Sequence, residues 1–272
     1  MSAATVELVD GGVVLVVLNR PEQRNALSLE LLREINSGLG RHLRRGKAKV
    51  VVLRGEGGYF CAGADLKEMA AARAQGSVGQ KNLRRSMAEL VYLCCNLRTL
   101  DIPTVALVQG GASGGGVGLL AACQWVIADE NAKLCLPETK LGLFPFMISP
   151  LLIRRMGAVA FAEMALAAEP LSAAHAAKVG LVDEVVRELP EVRSLAAKRA
   201  RPDTVWPNAT TSGSDLAEDL AEVVQRFAEV PEHLRRAATR SALVERSMSL
   251  PIAMRTGAVE LEALVKDFGG TA

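Results

Sequence analysis

The apolar positions of the chain fall into short runs, each followed by a polar or glycine-bearing break and then by a stretch of helical spacing. Residues 5–8 and 13–18 are apolar runs on either side of Asp10-Gly11-Gly12, which predicts a hairpin. Ser28 stands where it can cap a helix whose apolar positions, Leu31, Leu32, Ile35, Leu39 and Leu43, recur at helical spacing and end near Gly46. Residues 50–53 form a buried-strand run, followed by a loop at 55–63 and a helix from Leu66. A further helical pattern runs from about Gln80 to Leu100, Pro103 interrupts it, and residues 104–108 begin another strand. Residues 125–128 and 133–136 read as two more strands, the last ending at Pro137. This alternation of strand, break, helix and strand predicts an α/β protein, with no repeat at a fixed period.

After about Val186 the strand pattern stops. Residues 199–214 are rich in Pro, Asn, Thr and Ser and read as a linker. Beyond them, helical stretches lie around 215–230, 232–247 and 259–268. The expected organisation is a core at 1–195 and a C-terminal helical region at 196–272, packed on the core or on a neighbouring subunit.

Six glycines crowd into residues 110–118, Gly-Gly-Ala-Ser-Gly-Gly-Gly-Val-Gly, after the apolar run at 104–108. A strand feeding a tight glycine turn that opens a helix through 119–122 leaves backbone N–H groups unshielded at the helix N-terminus. Such groups can hold an anion or a developing negative charge.

Composition narrows the choice of anion. A net charge of +2 and ten aromatics among 272 residues (six Phe, two Trp, two Tyr) leave no electrostatic or stacking footprint for nucleic acid. The pairs Arg44-Arg45, Arg84-Arg85, Arg154-Arg155 and Arg235-Arg236 read as solvated helix ends. Glu7 and Asp10 near the N-terminus do not fit a secretory signal, and no apolar stretch reaches the ~18 residues of a membrane span. Five cysteines, an odd set with no C-x-x-C pair, fit a reduced cytoplasmic protein. Three histidines, isolated from one another and from the cysteines, speak against zinc, and no metal site is expected.

Three chemistries can use the glycine turn. Gly110, Gly114 and Gly116 satisfy the G-x-x-x-G-x-G spacing of short-chain dehydrogenases, with Asp129 as a ribose-binding acid. The required Tyr with Lys four residues on is missing, since Tyr59 is followed at that spacing by Gly63 and Tyr92 by Asn96, and there is no P-loop. Gly111-Ala112-Ser113-Gly114-Gly115 matches the G-x-S-x-G nucleophile elbow of a serine hydrolase, with His175 or His233 as the base. His175, however, sits in an alanine-rich helical stretch and His233 lies beyond the linker. The third chemistry needs no nucleophile. Phe60-Cys61-Ala62-Gly63-Ala64-Asp65-Leu66-Lys67-Glu68-Met69 is a second strand, tight turn and helix start, and two such turns on adjacent strands can aim N–H groups at one oxygen, the geometry of an oxyanion hole.

At this point the chain resembles the crotonase, or enoyl-CoA hydratase/isomerase, family. The matching blocks are Asn19-Arg20-Pro21-Glu22-Gln23-Arg24-Asn25-Ala26-Leu27-Ser28, the 60–69 segment, the 110–118 turn, Leu136-Pro137-Glu138-Thr139-Lys140-Leu141-Gly142-Leu143, and Ala177-Lys178-Val179-Gly180-Leu181-Val182-Asp183. The resemblance implies a spiral of ββα turns with a C-terminal helical region, homotrimers that pair into hexamers, and acyl-CoA substrates with no cofactor beyond the coenzyme A they carry. It implies the N–H groups of Ala64 and Gly115 as oxyanion donors. It places coenzyme A near Arg24, Ala26, Leu27, Ala62, Asp65, Leu66, Lys67 and Gly114, with Asp65 also reading as the cap of the helix from Leu66. An acyl pocket falls to Pro137, Leu141, Phe144 and Phe146, and acid/base work to Glu138. Cys61 beside the turn reads as a small buried residue.

One departure matters. Two-glutamate hydratases of that family carry an acid on the helix after the glycine turn and another just past the later proline. Here the second is Glu138 and the first position falls on Gly118. The resemblance then leaves three readings: a hydratase of 2-enoyl-CoA working with Glu138 alone, as in members that hydrate branched glutaconyl-CoA; a 3-enoyl-CoA to 2-enoyl-CoA isomerase with one proton shuttle; and an acyl-CoA binder without turnover.

Overall fold

The computed structural model describes residues 2–44, 46–187 and 189; the linker and helices expected beyond them, the boundary at 195/196 and His233 lie outside the described residues. The valine-rich runs of the N-terminal half become strands of one six-stranded sheet. β1 (Ala4–Val9) and β2 (Val13–Leu18) form the hairpin, antiparallel, with Val9 opposite Val13. β3 (Val50–Gly55), β4 (Thr104–Val108), β6 (Trp125–Asp129) and β9 (Glu184–Val186) then add in parallel, in the order β1-β2-β3-β4-β6-β9. Parallel strands are buried on both faces, which is why these runs are continuously apolar instead of alternating. One face presents Val14, Val16, Leu18, Val51, Leu53, Ala106 and Val108 to the main core. The other presents Leu15, Val17, Val50, Val52, Val105, Leu107 and Ile127 as a smaller cluster.

A second, shorter sheet stands beside the first. β5 (Gly111–Ser113) pairs in parallel with β7 (Lys133–Cys135), and β7 pairs antiparallel with β8 (Leu171–Ser172). Parallel bridges Leu27↔Ala64 and Cys61↔Ala112 continue this layer. After each of β2, β3, β4 and β6 the chain therefore makes one short extended pass through the second layer, at Leu27, at 61–64, at β5 and at β7. The first three passes lead into helices: α1 (Leu29–Leu43), α2 (Leu66–Ala74) and α4 (Gly115–Ala122). The fourth leads into a 3-10 turn, Pro137–Leu141. This is a spiral of ββα turns. Its turns begin at Val13, Val50, Thr104 and Trp125, unequal intervals that hide the repeat from a search at fixed period.

The remaining helices are α3 (Gly76–Thr99), α5 (Ser149–Met156), α6 (Ala158–Ala167) and α7 (Ala173–Lys178). Ser28 caps α1 as expected, its side chain accepting from the Leu31 amide at 3.1 Å. α3 begins four residues before the predicted Gln80. Gly76 and Gly79 weaken the helical signal there, but Gly79 lies so close to the Ala72 backbone that tertiary contact with α2 fixes the turn. Arg155 corrects its reading as a solvated helix end. It donates to the carbonyls of Leu181 (2.8 Å) and Cys123 (3.0 Å) and pairs with Asp183, stapling α5 to the main-sheet layer.

Candidate active site

The second-layer passes bring the two glycine-bearing turns together. Gly63 has φ +84°, and a Cβ built there would lie 2.5 Å from the Ser113 carbonyl oxygen and 3.1 Å from the Gly115 nitrogen. Only glycine allows both that backbone angle and that approach. The 61–64 turn is held on three sides: Leu27 N–H donates to Gly63 O (2.7 Å), Ala62 N–H to Arg24 O (2.8 Å) and Ser113 N–H to Cys61 O (2.9 Å). On the facing turn, Asp129 accepts the Gly110 amide at 2.7 Å and the Asn131 amide at 2.9 Å. The acid considered for a ribose is thus a buried support of the glycine turn.

α4 starts at Gly115, inside the glycine cluster, with the extra strand β5 ahead of it. A Cβ at Gly115 would lie 3.9 Å from the Ala64 nitrogen. Among the described residues, neither the Ala64 nor the Gly115 N–H donates to a protein acceptor, and both residues line one cavity of about 630 Å³. Two unpaired amides facing one space, one of them at a helix N-terminus, can hold an oxygen on which negative charge develops.

Glu138 reaches the same place from the fourth pass. Gly114 N–H donates to Cys135 O at 2.9 Å, tying the start of α4 to the strand that runs into Pro137–Leu141. The carboxylate then lies against Gly114, with Oε1 2.9 Å from where a Cβ would stand. Its Oε2 is buried with no hydrogen-bond partner among the described residues. Burial pushes the Glu138 pKa up, opposed only by its own backbone amide. A raised pKa brings the carboxyl closer to the balance of acid and base forms that proton exchange needs.

The position of the first family glutamate is closed. Gly118 is buried on α4, and a Cβ added there would fall 2.2 Å from Ile148 Cγ2 and 2.8 Å from Ile148 Cβ. Ile148, itself 2% exposed, fills that place with apolar surface and lines the cavity.

Of the other sequence-predicted residues, Ala26, Leu27, Ala62, Asp65, Leu66, Lys67, Gly114, Pro137, Leu141, Phe144 and Phe146 all line this cavity. Lys67 supplies positive charge there. Asp65 caps α2, accepting from the amides of Lys67 (3.0 Å) and Glu68 (3.1 Å), and pairs with Arg20 at 2.8 Å. Burial alone would push its pKa up, but the Glu68 amide, the Arg20 guanidinium and the Lys67 amide together hold it below the ordinary carboxylate value. Arg24 is not brought to the cavity lining; its guanidinium stands 5.7 Å from the Tyr59 ring centroid. Ser113 has Tyr59 OH 3.5 Å from its hydroxyl, while His175 is exposed on α7, so the described residues assemble no serine–histidine pair. Cys61 is fully buried, its thiol pushed up to about 12 by burial. Sequence reasoning missed the α3 wall, Leu83, Met87 and Leu90, whose 3- and 4-residue spacing marks one helical face. Among the described residues there is no cluster of side chains suited to a metal and no helix long and apolar enough to cross a membrane.

Fold and site together define a crotonase-fold protein. An enoyl-CoA hydratase from Bacillus halodurans superposes with a TM-score of 0.82 over 98% of this chain and 97% of that one, at 21% identity. The sequence profile of the enoyl-CoA hydratase/isomerase family matches residues 9–244, and the chain belongs to that family. It is 35% identical over 214 residues to a 2,3-dehydroadipyl-CoA hydratase of Escherichia coli, spanning 77% of this chain and 80% of that protein. It is 32% identical over 190 residues to the rat mitochondrial enoyl-CoA hydratase domain-containing protein 3, spanning 69% and 62% of the respective lengths.

Proposed function

We propose that the protein hydrates a 2-enoyl thioester of coenzyme A, with Glu138 as its single acid/base. The observation that carries this reading is the Glu138 carboxylate lying against Gly114, one residue from an unpaired helix-terminal amide that faces a second unpaired amide at Ala64. The thioester oxygen sits between the two N–H groups. Glu138 takes a proton from water as its oxygen attacks C3, and the electron pair of the double bond moves onto the thioester oxygen as an enolate. The same carboxyl then returns the proton to C2. The two amides stabilise the enolate more than the neutral carbonyl, and loss of one such donor costs about 3–4 kcal/mol. Lys67 with the apolar residues Ala26, Leu27, Ala62 and Leu66 holds the coenzyme A portion, and the 137–148 segment faces the acyl chain. The relatives named as hydratases support this choice of reaction. Assembly as a homotrimer or a pair of trimers belongs to the same reading and is measured by light scattering.

One observation favours a second reading. Ile148 packed on Gly118 leaves Glu138 without an opposing acceptor to hold the water, which suits a 3-enoyl-CoA to 2-enoyl-CoA isomerase, where one carboxyl moves a proton between two carbons. Separate panels of 2-enoyl-CoA and 3-enoyl-CoA thioesters test both. Hydration without double-bond migration removes the isomerase; migration without hydration replaces the hydratase; no turnover on either panel leaves an acyl-CoA binder. Ser113→Ala retains full activity on this reading, and loss of a thioester-cleaving activity in that variant would replace it with a serine hydrolase.

A further inference from the structure

The Ala64 N–H belongs to the peptide unit whose carbonyl is Gly63 O. In a trans peptide the two groups point in opposite directions, so the bond that holds the carbonyl also aims the N–H. Gly63 O accepts from Leu27 N–H at 2.7 Å. That N–H in turn belongs to the peptide unit whose carbonyl is Ala26 O, and Ala26 O accepts from Arg20 Nη1 at 2.7 Å. The same guanidinium nitrogen pairs with Asp65 Oδ2 at 2.8 Å, just past Ala64. Arg20 is fixed at its base as well, its own amide donating at 2.9 Å to the buried Asn25 side chain.

Resting on the proposed use of Ala64 as an oxyanion donor, we infer that Arg20 is a positioning residue that orients and polarises this donor through two hydrogen-bonded peptide units. The cation withdraws electron density from Ala26 O and makes Leu27 N–H a stronger donor. Gly63 O is polarised in turn, and Ala64 N–H ends the chain at the substrate oxygen. Hydrogen bonds in series strengthen one another, and a charged terminus strengthens the first of them. The guanidinium is held by Ala26 O, while Asp65 offsets part of its charge and caps α2.

The test uses the full chain and dimethylaminocinnamoyl-CoA, whose absorption moves to the red as its thioester carbonyl is polarised. The wild type shows the bound-state red shift; its absence there would defeat the oxyanion reading itself. Arg20→Met binds the probe within about threefold of wild type, loses at least half of the red shift, and loses kcat by about tenfold, less than the ~100- to 1,000-fold that follows outright loss of an oxyanion donor. Arg20→Lys recovers part of both. Asp65→Asn keeps a capping oxygen but removes the offsetting charge, and its red shift equals or exceeds that of wild type. A full red shift and full kcat in Arg20→Met would overturn the inference. So would a diminished shift in Asp65→Asn, because a purely structural tie would be weakened equally from either end. If Arg20→Met does not fold, the Asp65→Asn spectrum decides alone.

Discussion

Gly118→Ala adds one methyl group where the packing has no room for it. The new Cβ falls 2.2 Å from Ile148 Cγ2 and 2.8 Å from Ile148 Cβ, far inside a carbon–carbon contact of ~4 Å. Neither partner can retreat into solvent, because Gly118 is buried on a helix enclosed from Gly116 to Ala122 and Ile148 is 2% exposed. Overpacking of this kind costs about 1–3 kcal/mol. Replacing a mid-helix glycine by alanine returns about 1 kcal/mol of helix propensity. The single variant therefore loses up to about 2 kcal/mol, against a gain for the same substitution on an exposed helix. Ile148→Ala alone leaves a cavity and costs about 2–5 kcal/mol. In the double variant the methyl group added at position 118 enters that cavity and the closest contact disappears. Its loss is smaller than the sum of the two single losses by about 0.5–3 kcal/mol, the size of coupling seen between residues in direct contact. The residual approach to the Cβ that Ile148→Ala retains keeps the rescue partial. Urea unfolding of the wild type and three variants measures the cycle. Additivity within about 0.5 kcal/mol would refute the claim that Ile148 occupies the space above Gly118.

The acid/base assignment predicts that Glu138→Gln abolishes turnover while sparing acyl-CoA binding; an unchanged rate excludes Glu138 from the chemistry. The same substitution stabilises the protein at pH 7. Burial raises the folded-state pKa of Glu138, so ionisation opposes folding: the penalty is absent below the ordinary carboxylate value of 4.5 and complete above the raised folded value. The gain, read by denaturant midpoint, must shrink as the pH falls through that window. For hydration, the acid limb of kcat/KM lies above the ordinary carboxylate value of 4.5, since the ionised form takes the proton from water. Gly63→Ala, at φ +84° and 2.5 Å from the Ser113 carbonyl, displaces the Ala64 donor and lowers kcat by ~100-fold or more. Cys61, buried and with its thiol pushed up to about 12, resists alkylation at pH 8 in the folded protein and reacts after unfolding; fast labelling of the native state would contradict its packing.

The main sheet was legible because parallel strands buried on both faces leave continuous apolar runs, and the 13–18, 50–53, 104–108 and 125–128 runs each became a strand. The second layer was not. Its passes at Leu27, 61–64 and Gly111–Ser113 are one to four residues long, built largely from small side chains and held by backbone pairing, so they carry no hydrophobic period. Yet the 61–64 pass carries the Ala64 amide of the candidate site and Gly111–Ser113 leads into the Gly115 amide; in the chain these showed only as two glycine-bearing turns and through the family resemblance. The error at Arg155 has a related cause. A basic pair at a helix end reads as solvated, whereas the partners that bury this one, Cys123, Leu181 and Asp183, lie about thirty residues away in either direction.

The same distance in sequence separates Gly118 from Ile148, and it changes what the missing glutamate means. From the chain alone, Gly118 is the absence of an acid, which one substitution would repair. In the fold it is one half of a packed apolar contact, and Ile148 is the other. A carboxylate placed at 118 would lose its solvation against that side chain and take the neutral form at neutral pH, the state least able to accept a proton from water. Restoring a two-carboxylate site therefore takes at least two coupled changes. On the proposed reading, one-carboxylate chemistry follows from the packing between α4 and the 144–148 segment, which leaves no room for a second acid at position 118 beside Glu138.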